Sequence, residues 1–229
     1  MICAIHQPQY IPWLGYFDKI DRADVFVLLD TVQYKKNEWQ NRNRIKTAQG
    51  PQWLTVPVLY RHPQLIIEVP INNRERWQHK HYQSLITNYA KAPYFHLLTS
   101  FWEEILGHPW EMLAPLNITV VRRLCEILGI KTPVYVASEL GNFPEDPDLR
   151  LIAITRFFGA DTYLAGKGGH DYMKIETYEE AGIKVLFQDF CHPTYPQLFS
   201  EEFVPYLSVI DLIYNMGPKS LDVIRSTRK

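Results

Sequence analysis

Cysteine is scarce in this chain: Cys3, Cys125 and Cys191 are the only three among 229 residues. They are odd in number and far apart, which excludes a disulfide framework and a zinc spacing and makes a reducing, cytoplasmic setting the expectation. Net charge is missing too. With 24 basic residues against 25 acidic ones, the formal charge is -1, so nucleic acid is not an expected partner. No apolar run approaches the ~18 residues of a membrane span. Residues 1–10 have neither a basic region nor an apolar stretch behind it, so no signal peptide is expected. There is no repeat, no low-complexity tract, no Walker A loop and no G-x-S-x-G turn. Metal ligation has no pattern behind it either: His79 and His81 are two apart on a predicted helix and face different sides. What is abundant is aromatic: 14 Tyr, 11 Phe and 6 Trp. Ring-lined clefts and a ring-rich core both accommodate that number.

Apolar residues make up 46% and charged residues 21%, a globular composition. The length allows one domain with an accessory region, or two small ones. Residues 2–6, 25–29, 134–137, 162–165 and 183–187 read as short apolar strands. Helical spacing runs through Trp13, Leu14, Phe17 and Ile20, and returns over 145–158 and 175–181, with Gly159 and Gly182 as stops. Strand, helix, strand within thirty residues is a βαβ opening, which requires a parallel sheet. Strands at 53–56 and 65–69, around the turn Arg61-His62-Pro63, predict a short antiparallel excursion. Residues 74–90, 94–106 and 110–128 predict three helices, the last ended by Gly129. The expected fold is α/β: a parallel-sheet, three-layer core from 1–72 and 130–195, with a helical insertion at 73–129. The proline-broken tail, 196–229, carries a last helix near 221–225 and packs on the core.

Ligands of open parallel sheets bind beyond the carboxyl ends of the strands. Four such loops carry functional side chains: His6-Gln7-Pro8-Gln9-Tyr10, Asp30 to Gln33, Gly166-Lys167-Gly168-Gly169 to Tyr172, and Gln188-Asp189. His6 suits acid–base chemistry near neutral pH; a buried, hydrogen-bonded histidine is the plainer alternative. The helix entered at Trp13-Leu14-Gly15-Tyr16 brings free N–H groups to the same edge, which favours an anion. Gly15 in its first turn implies close approach of another group. Residues 33–46 hold Lys35, Lys36, Arg42, Arg44 and Lys46 against Glu38 alone, a local charge of +4. If 40–46 is extended, Gln40, Arg42, Arg44 and Lys46 share one face while Asn41 and Asn43 share the other. The guanidinium forks suit phosphate or carboxylate; a charge-guarded edge strand would use the same residues. The glycine turn is either an anion nest or a flexible connection. The candidates are therefore His6 and Asp30 for catalysis. Gln7, Gln9, Tyr10, Trp13, Gly15, Tyr16, Gln33, Asn41, Arg42, Asn43, Arg44, Gly166, Gly168, Gly169 and Tyr172 are the candidates for substrate binding.

The stretch from His6 to Lys19, His-Gln-Pro-Gln-Tyr-Ile-Pro-Trp-Leu-Gly-Tyr-Phe-Asp-Lys, resembles the opening signature of the WbqC-like proteins. Further matches follow in order: Ala23-Asp24 to Leu29-Asp30 with Gln33, and Gln40-Asn41-Arg42-Asn43; then Tyr163-Leu164-Ala165-Gly166 with Gly168-Gly169 and Tyr172. His192-Pro193 with Tyr195-Pro196-Gln197, and 207–212 with Asn215 and Gly217, complete the set. The resemblance implies a bacterial protein of surface-polysaccharide (O-antigen-type) biosynthesis. Acyl or aminoacyl transfer onto a nucleotide-linked amino sugar suits that setting, with an anionic small molecule as partner and a homo-oligomer allowed. The opening also resembles the start of HIGH-type nucleotidylyltransferases, which implies a HUP-like fold and ATP with magnesium. It departs from them in carrying Tyr16 where the second histidine would stand and in lacking a Lys-Met-Ser-Lys-Ser-like motif. A non-catalytic glycan-assembly protein, with Trp39, Trp77 or Trp110 in one exposed patch, is the alternative of a different class.

Overall fold

A computed structural model of the chain describes residues 1–199 and 202–228. In chain order the strands are β1 (Ile2–His6), β2 (Val25–Leu28), β3 (Arg42–Thr47), β4 (Gly50–Thr55), β5 (Val134–Val136), β6 (Thr162–Ala165) and β7 (Lys184–Phe187). All except β3 and β4 form one sheet in the order β5-β2-β1-β6-β7, every pair parallel. The helices are α1 (Leu14–Asp21), α2 (Trp77–Tyr89), α3 (Thr99–Gly107), α4 (Leu113–Leu128), α5 (Ala137–Leu140), α6 (Pro147–Phe157), α7 (Ile175–Glu180), α8 (Val209–Met216) and α9 (Ser220–Arg225).

The strands are short and apolar throughout because both faces of the sheet are covered. Alternation divides their side chains. Cys3, Ile5, Val25, Val27 and Tyr163 join Ile152, Ile154 and Tyr178 of α6 and α7 on one face. Ala4, Phe26, Leu28 and Leu164 join Leu14 and Phe17 of α1 on the other, in a core continuous with Trp77, Leu85, Phe101, Leu116, Val120 and Ile213. The result is the expected three-layer α/β arrangement. The chain winds from β1 outward to β2 and β5, then returns to β6 on the far side of β1. The winding thus reverses between β1 and β6, the point where such sheets open a crevice. Among the described residues no helix is long and apolar enough to cross a membrane.

The antiparallel excursion is present but differently built. Its pair is β3 with β4, register Arg42–Thr55 to Thr47–Gly50. Residues 65–69 are no strand: Ile66–Glu68 is a 3-10 turn, anchored by Ile66 N–H on Val32 O and Ile67 N–H on Asp30 O. The second predicted helix of the insertion opens with a 3-10 turn, Phe95–Leu98, before α3. In the tail, α8 is an element that periodicity does not reveal. Ser200, Glu201 and Lys229 of the predicted tail lie outside the described residues. The stops at Gly129 and Gly159 are where they were expected, at φ +79° and +66°, left-handed values that glycine adopts without strain.

Candidate functional site

Because every strand of the main sheet is parallel, all four candidate loops leave the same edge. Sheet order then decides which of them meet. His6 and Gly166 end adjacent strands on either side of the reversal. The His6 ring lies edge-on to Tyr16 of α1, centroids 4.8 Å apart, and its Nδ1 sits 3.1 Å from Gln7 O. A carbonyl only accepts, so Nδ1 carries the proton and Nε2 is left as an acceptor. Burial, helped by the neighbouring Lys19 charge, pushes the imidazolium down to about 3, so the ring is neutral at physiological pH. Tyr16 donates to Gln7 O at 3.0 Å. Beyond β6, Gly166 leads into a 3-10 turn, Lys167–Asp171. A Cβ on Gly169 would stand 2.7 Å from the Met173 sulfur, whereas Gly166 and Gly168 face open space.

The segment 35–46 is tied to this edge. Gln40 Nε2 donates to Gln7 Oε1 at 2.6 Å, and Gln40 Oε1 accepts from Lys35 N–H. Asn117 of α4 bridges the two segments by donating to Pro8 O and Gln40 O. Strand alternation divides β3 as expected. Asn43 turns inward and donates to Ile11 O, while its Oδ1 accepts from Arg44 N–H. Asn41 donates to Val56 O. Arg42 and Arg44 lie outward, the first 4.3 Å above the Trp53 ring, the second 5.8 Å from Trp39. Lys46, on the same face, is buried and donates to Gln197 Oε1 and Glu202 O. Gln9 Oε1, Asn41 Oδ1, Asn117 Oδ1, Arg42 Nε and Arg44 Nε are buried without a partner among the described residues. Such atoms are uncommon in folded chains.

Gly15 faces a neighbour, as expected, and the neighbour is Trp13. A Cβ there would fall 2.3 Å from the indole. The glycine lets Trp13 fold back over its own helix and meet Phe190, His192 and Tyr206, at ring distances of 5.4, 6.3 and 5.7 Å. Tyr206 O accepts from Arg44. This aromatic cluster runs from the basic strand toward α1. Sequence reasoning named Trp13 and Arg44 as site residues and His192 only within the family resemblance; it did not name Phe190 or Tyr206, which follow β7 in a stretch without periodicity.

The other candidates go elsewhere. Tyr10 is buried among Trp77 and His81, with its hydroxyl on His81 Nδ1. Asp30 accepts from the N–H and hydroxyl of Ser138 at 3.1 and 2.6 Å, tying the end of β2 to α5. Gln33 donates to His62. Tyr172 is exposed. Trp77 is buried while Trp39 packs on Trp53, so Trp39, Trp77 and Trp110 do not form one exposed patch. Among the described residues no cluster of three or more His, Cys, Asp or Glu is placed to hold a metal ion. A groove of about 620 Å³ between α2 and α3 contains none of the candidates.

Two comparisons bear on the chain as a whole. A model of the WbqC-like protein family matches residues 7–223. An uncharacterized protein of Mycobacterium tuberculosis is 34% identical over 230 residues, covering 99% of this chain and 98% of that protein. No solved structure matches.

Proposed function

The chain belongs to the WbqC-like protein family, and from that premise we propose that it is a cytoplasmic enzyme of surface-polysaccharide biosynthesis, transferring an acyl or aminoacyl group onto a nucleotide-linked amino sugar. The observation that carries this reading is the convergence of His6, Tyr16 and Gly166 at the sheet reversal, beside a basic, tryptophan-backed strand. His6 Nε2, neutral at physiological pH, accepts a hydrogen bond from the amine and relays its proton to the departing heteroatom. The sugar nitrogen attacks the carbonyl carbon of an activated acyl donor, the new N–C bond forms, and the donor's heteroatom leaves with the electrons of the old bond. Gln7 and Gln40 orient the substrate, while Arg42 and Arg44 hold phosphate charge.

The reversal between β1 and β6 also supports a second reading, adenylate formation from ATP, because nucleotides bind at such points in doubly wound sheets. Thermal-shift titration separates the two. Stabilisation by UDP- or dTDP-linked amino sugars, with acyl transfer that depends on the amine, supports the first reading. Stabilisation by ATP with magnesium, and pyrophosphate release, supports the second. No response to any of them overturns both. His6→Ala is expected to lower turnover at least 100-fold and to leave the melting temperature within a few degrees. A large loss of stability instead makes His6 a core residue.

A further inference from the structure

Lys19 lies on α1, yet it is only 3% exposed. Its Nζ donates to Ile5 O at 2.8 Å and stands 5.8 Å from the Tyr163 ring centre. Among the described residues no carboxylate lies within ion-pair distance of it. Carbonyls along β1 alternate between its two neighbours. Ile2 O and His6 O accept from Asp24 and Leu29 on the β2 side, and Met1 O accepts from Thr162 on the β6 side. Ile5 O therefore faces β6, and the spacing of that ladder assigns its next rung to the N–H of Gly166. The β1–β6 register ends at Ala4–Leu164. Lys19 Nζ has taken the rung. The ammonium thus stands in the crevice itself, between β1 and β6, one residue below His6.

We propose that Lys19 is a ligand-binding residue of this crevice, taking a phosphoryl oxygen of a nucleotide-linked or pyrophosphate-bearing substrate together with the N–H of Gly166. A lysine ammonium has three donors, and Ile5 O uses one. A buried cation without a counter-charge is strongly disfavoured, so the chain keeps it at a cost to its own stability. A bound anion supplies the missing charge. Gly166 and Gly168 leave the approach open, since nothing lies where their Cβ atoms would be. Burial agrees with this: it pulls the Lys19 amine down to about 7, into the range where an arriving anion converts it fully to the charged form. The inference rests on placing the site at this crevice and names the substrate group that the crevice holds.

The test compares pyrophosphate titrations of the wild-type protein and Lys19→Met by thermal shift, with the Lys19 Cε resonance of ¹³C-lysine-labelled wild-type protein followed by NMR. Without pyrophosphate, Lys19→Met sheds the buried amine but leaves Ile5 O without its donor, so its melting temperature is expected within a few degrees of the wild type's. Pyrophosphate should raise the wild-type melting temperature by several degrees, leave the variant unmoved, and shift the Lys19 resonance. Three results each overturn the proposal: a pyrophosphate response that survives in Lys19→Met, a Lys19 resonance indifferent to pyrophosphate, or no response in the wild type. The NMR arm decides if the variant fails to fold. Acyl transfer is not read in this experiment, so the Lys19 result stands or falls separately from the amine acceptor.

Discussion

Burial lowers both Lys19 and His6, neighbours on the helix and the strand, and this makes stability near neutral pH a measure of the crevice. The Lys19 amine has a folded value of about 7 against an ordinary 10.5. Below pH 7 both folded and unfolded chains hold the proton. Above it the folded chain gives the proton up first, so the unfolded state binds more protons and stability rises with pH. The other groups facing this amine are His6, Cys3 and Tyr163. His6 is already neutral in both states above pH 7. Cys3 and Cys125, pushed up to about 12, ionise first in the unfolded chain above pH 9 and pull stability the other way. Urea unfolding between pH 7 and 9 should therefore show stability climbing in the wild type and a flatter profile in Lys19→Met. Equal slopes would mean that the amine is solvated. His6 was legible in the sequence because it ends an apolar run. Lys19 was not, since a lysine between Asp18 and Ile20 reads as solvent-facing. The Tyr16 and Lys19 spacing of three, which puts both on the face turned to β1, was the available signal.

At the scale of elements, His81 joins three segments. Tyr10, in the loop after β1, donates to its Nδ1 at 3.0 Å, and its Nε2 donates to Thr55 O of β4 at 3.1 Å. Burial holds its imidazolium down to about 4, so folding excludes a proton that the unfolded chain takes up near pH 6.5. Stability is full above pH 6.5 and falls as the pH drops toward 4. His81→Leu leaves the Tyr10 hydroxyl and Thr55 carbonyl unpaired and should lose about 1–3 kcal/mol at pH 7.5. Its acid decline should be shallower than the wild type's, with His6 supplying the remainder. An unchanged decline would place the acid sensitivity outside this link. The five strands of the main sheet were legible because short apolar runs bounded by polar residues suit a sheet covered on both faces. Residues 65–69 carry the same signature but form a 3-10 turn that buries Ile66 and Val69, which composition does not distinguish from a strand. Helix α8 was hidden for a related reason. Its one charge, Asp211, is itself buried, accepting from Tyr89, Tyr195 and Gln197, so the helix has no solvent-facing polar stripe.

For the whole molecule, alternation of strands and helices predicts a parallel sheet but not its order. Order depends on which crossover packs where, and the return of β6 beside β1 is what makes the His6 and Gly166 loops a single place. The C-terminal segment meets the first helix as well, at Asp18 and Asp21. Asp18 of α1 is fully buried and receives Arg22 and Arg228 at 2.9 and 2.8 Å, while Gln188 donates to its Oδ2. Asp21 binds Arg225 and Arg228. The last residues thus clamp the first helix, which carries Tyr16 and Lys19. Arg228→Ala removes one of two cations from a carboxylate that water does not reach. Arg22 and Gln188 remain, so the loss should be about 1–3 kcal/mol rather than the 3–5 of an unaccompanied buried charge. Arg123→Ala is the matched control. That side chain is 35% exposed, pairs with Glu104 and Glu126 at the surface, and should change stability by no more than about 0.5 kcal/mol. Chemical denaturation of both variants decides the matter. Equal effects would show that the C-terminal clamp adds nothing to an ordinary surface pair, and that α1 is held in place by its apolar face alone.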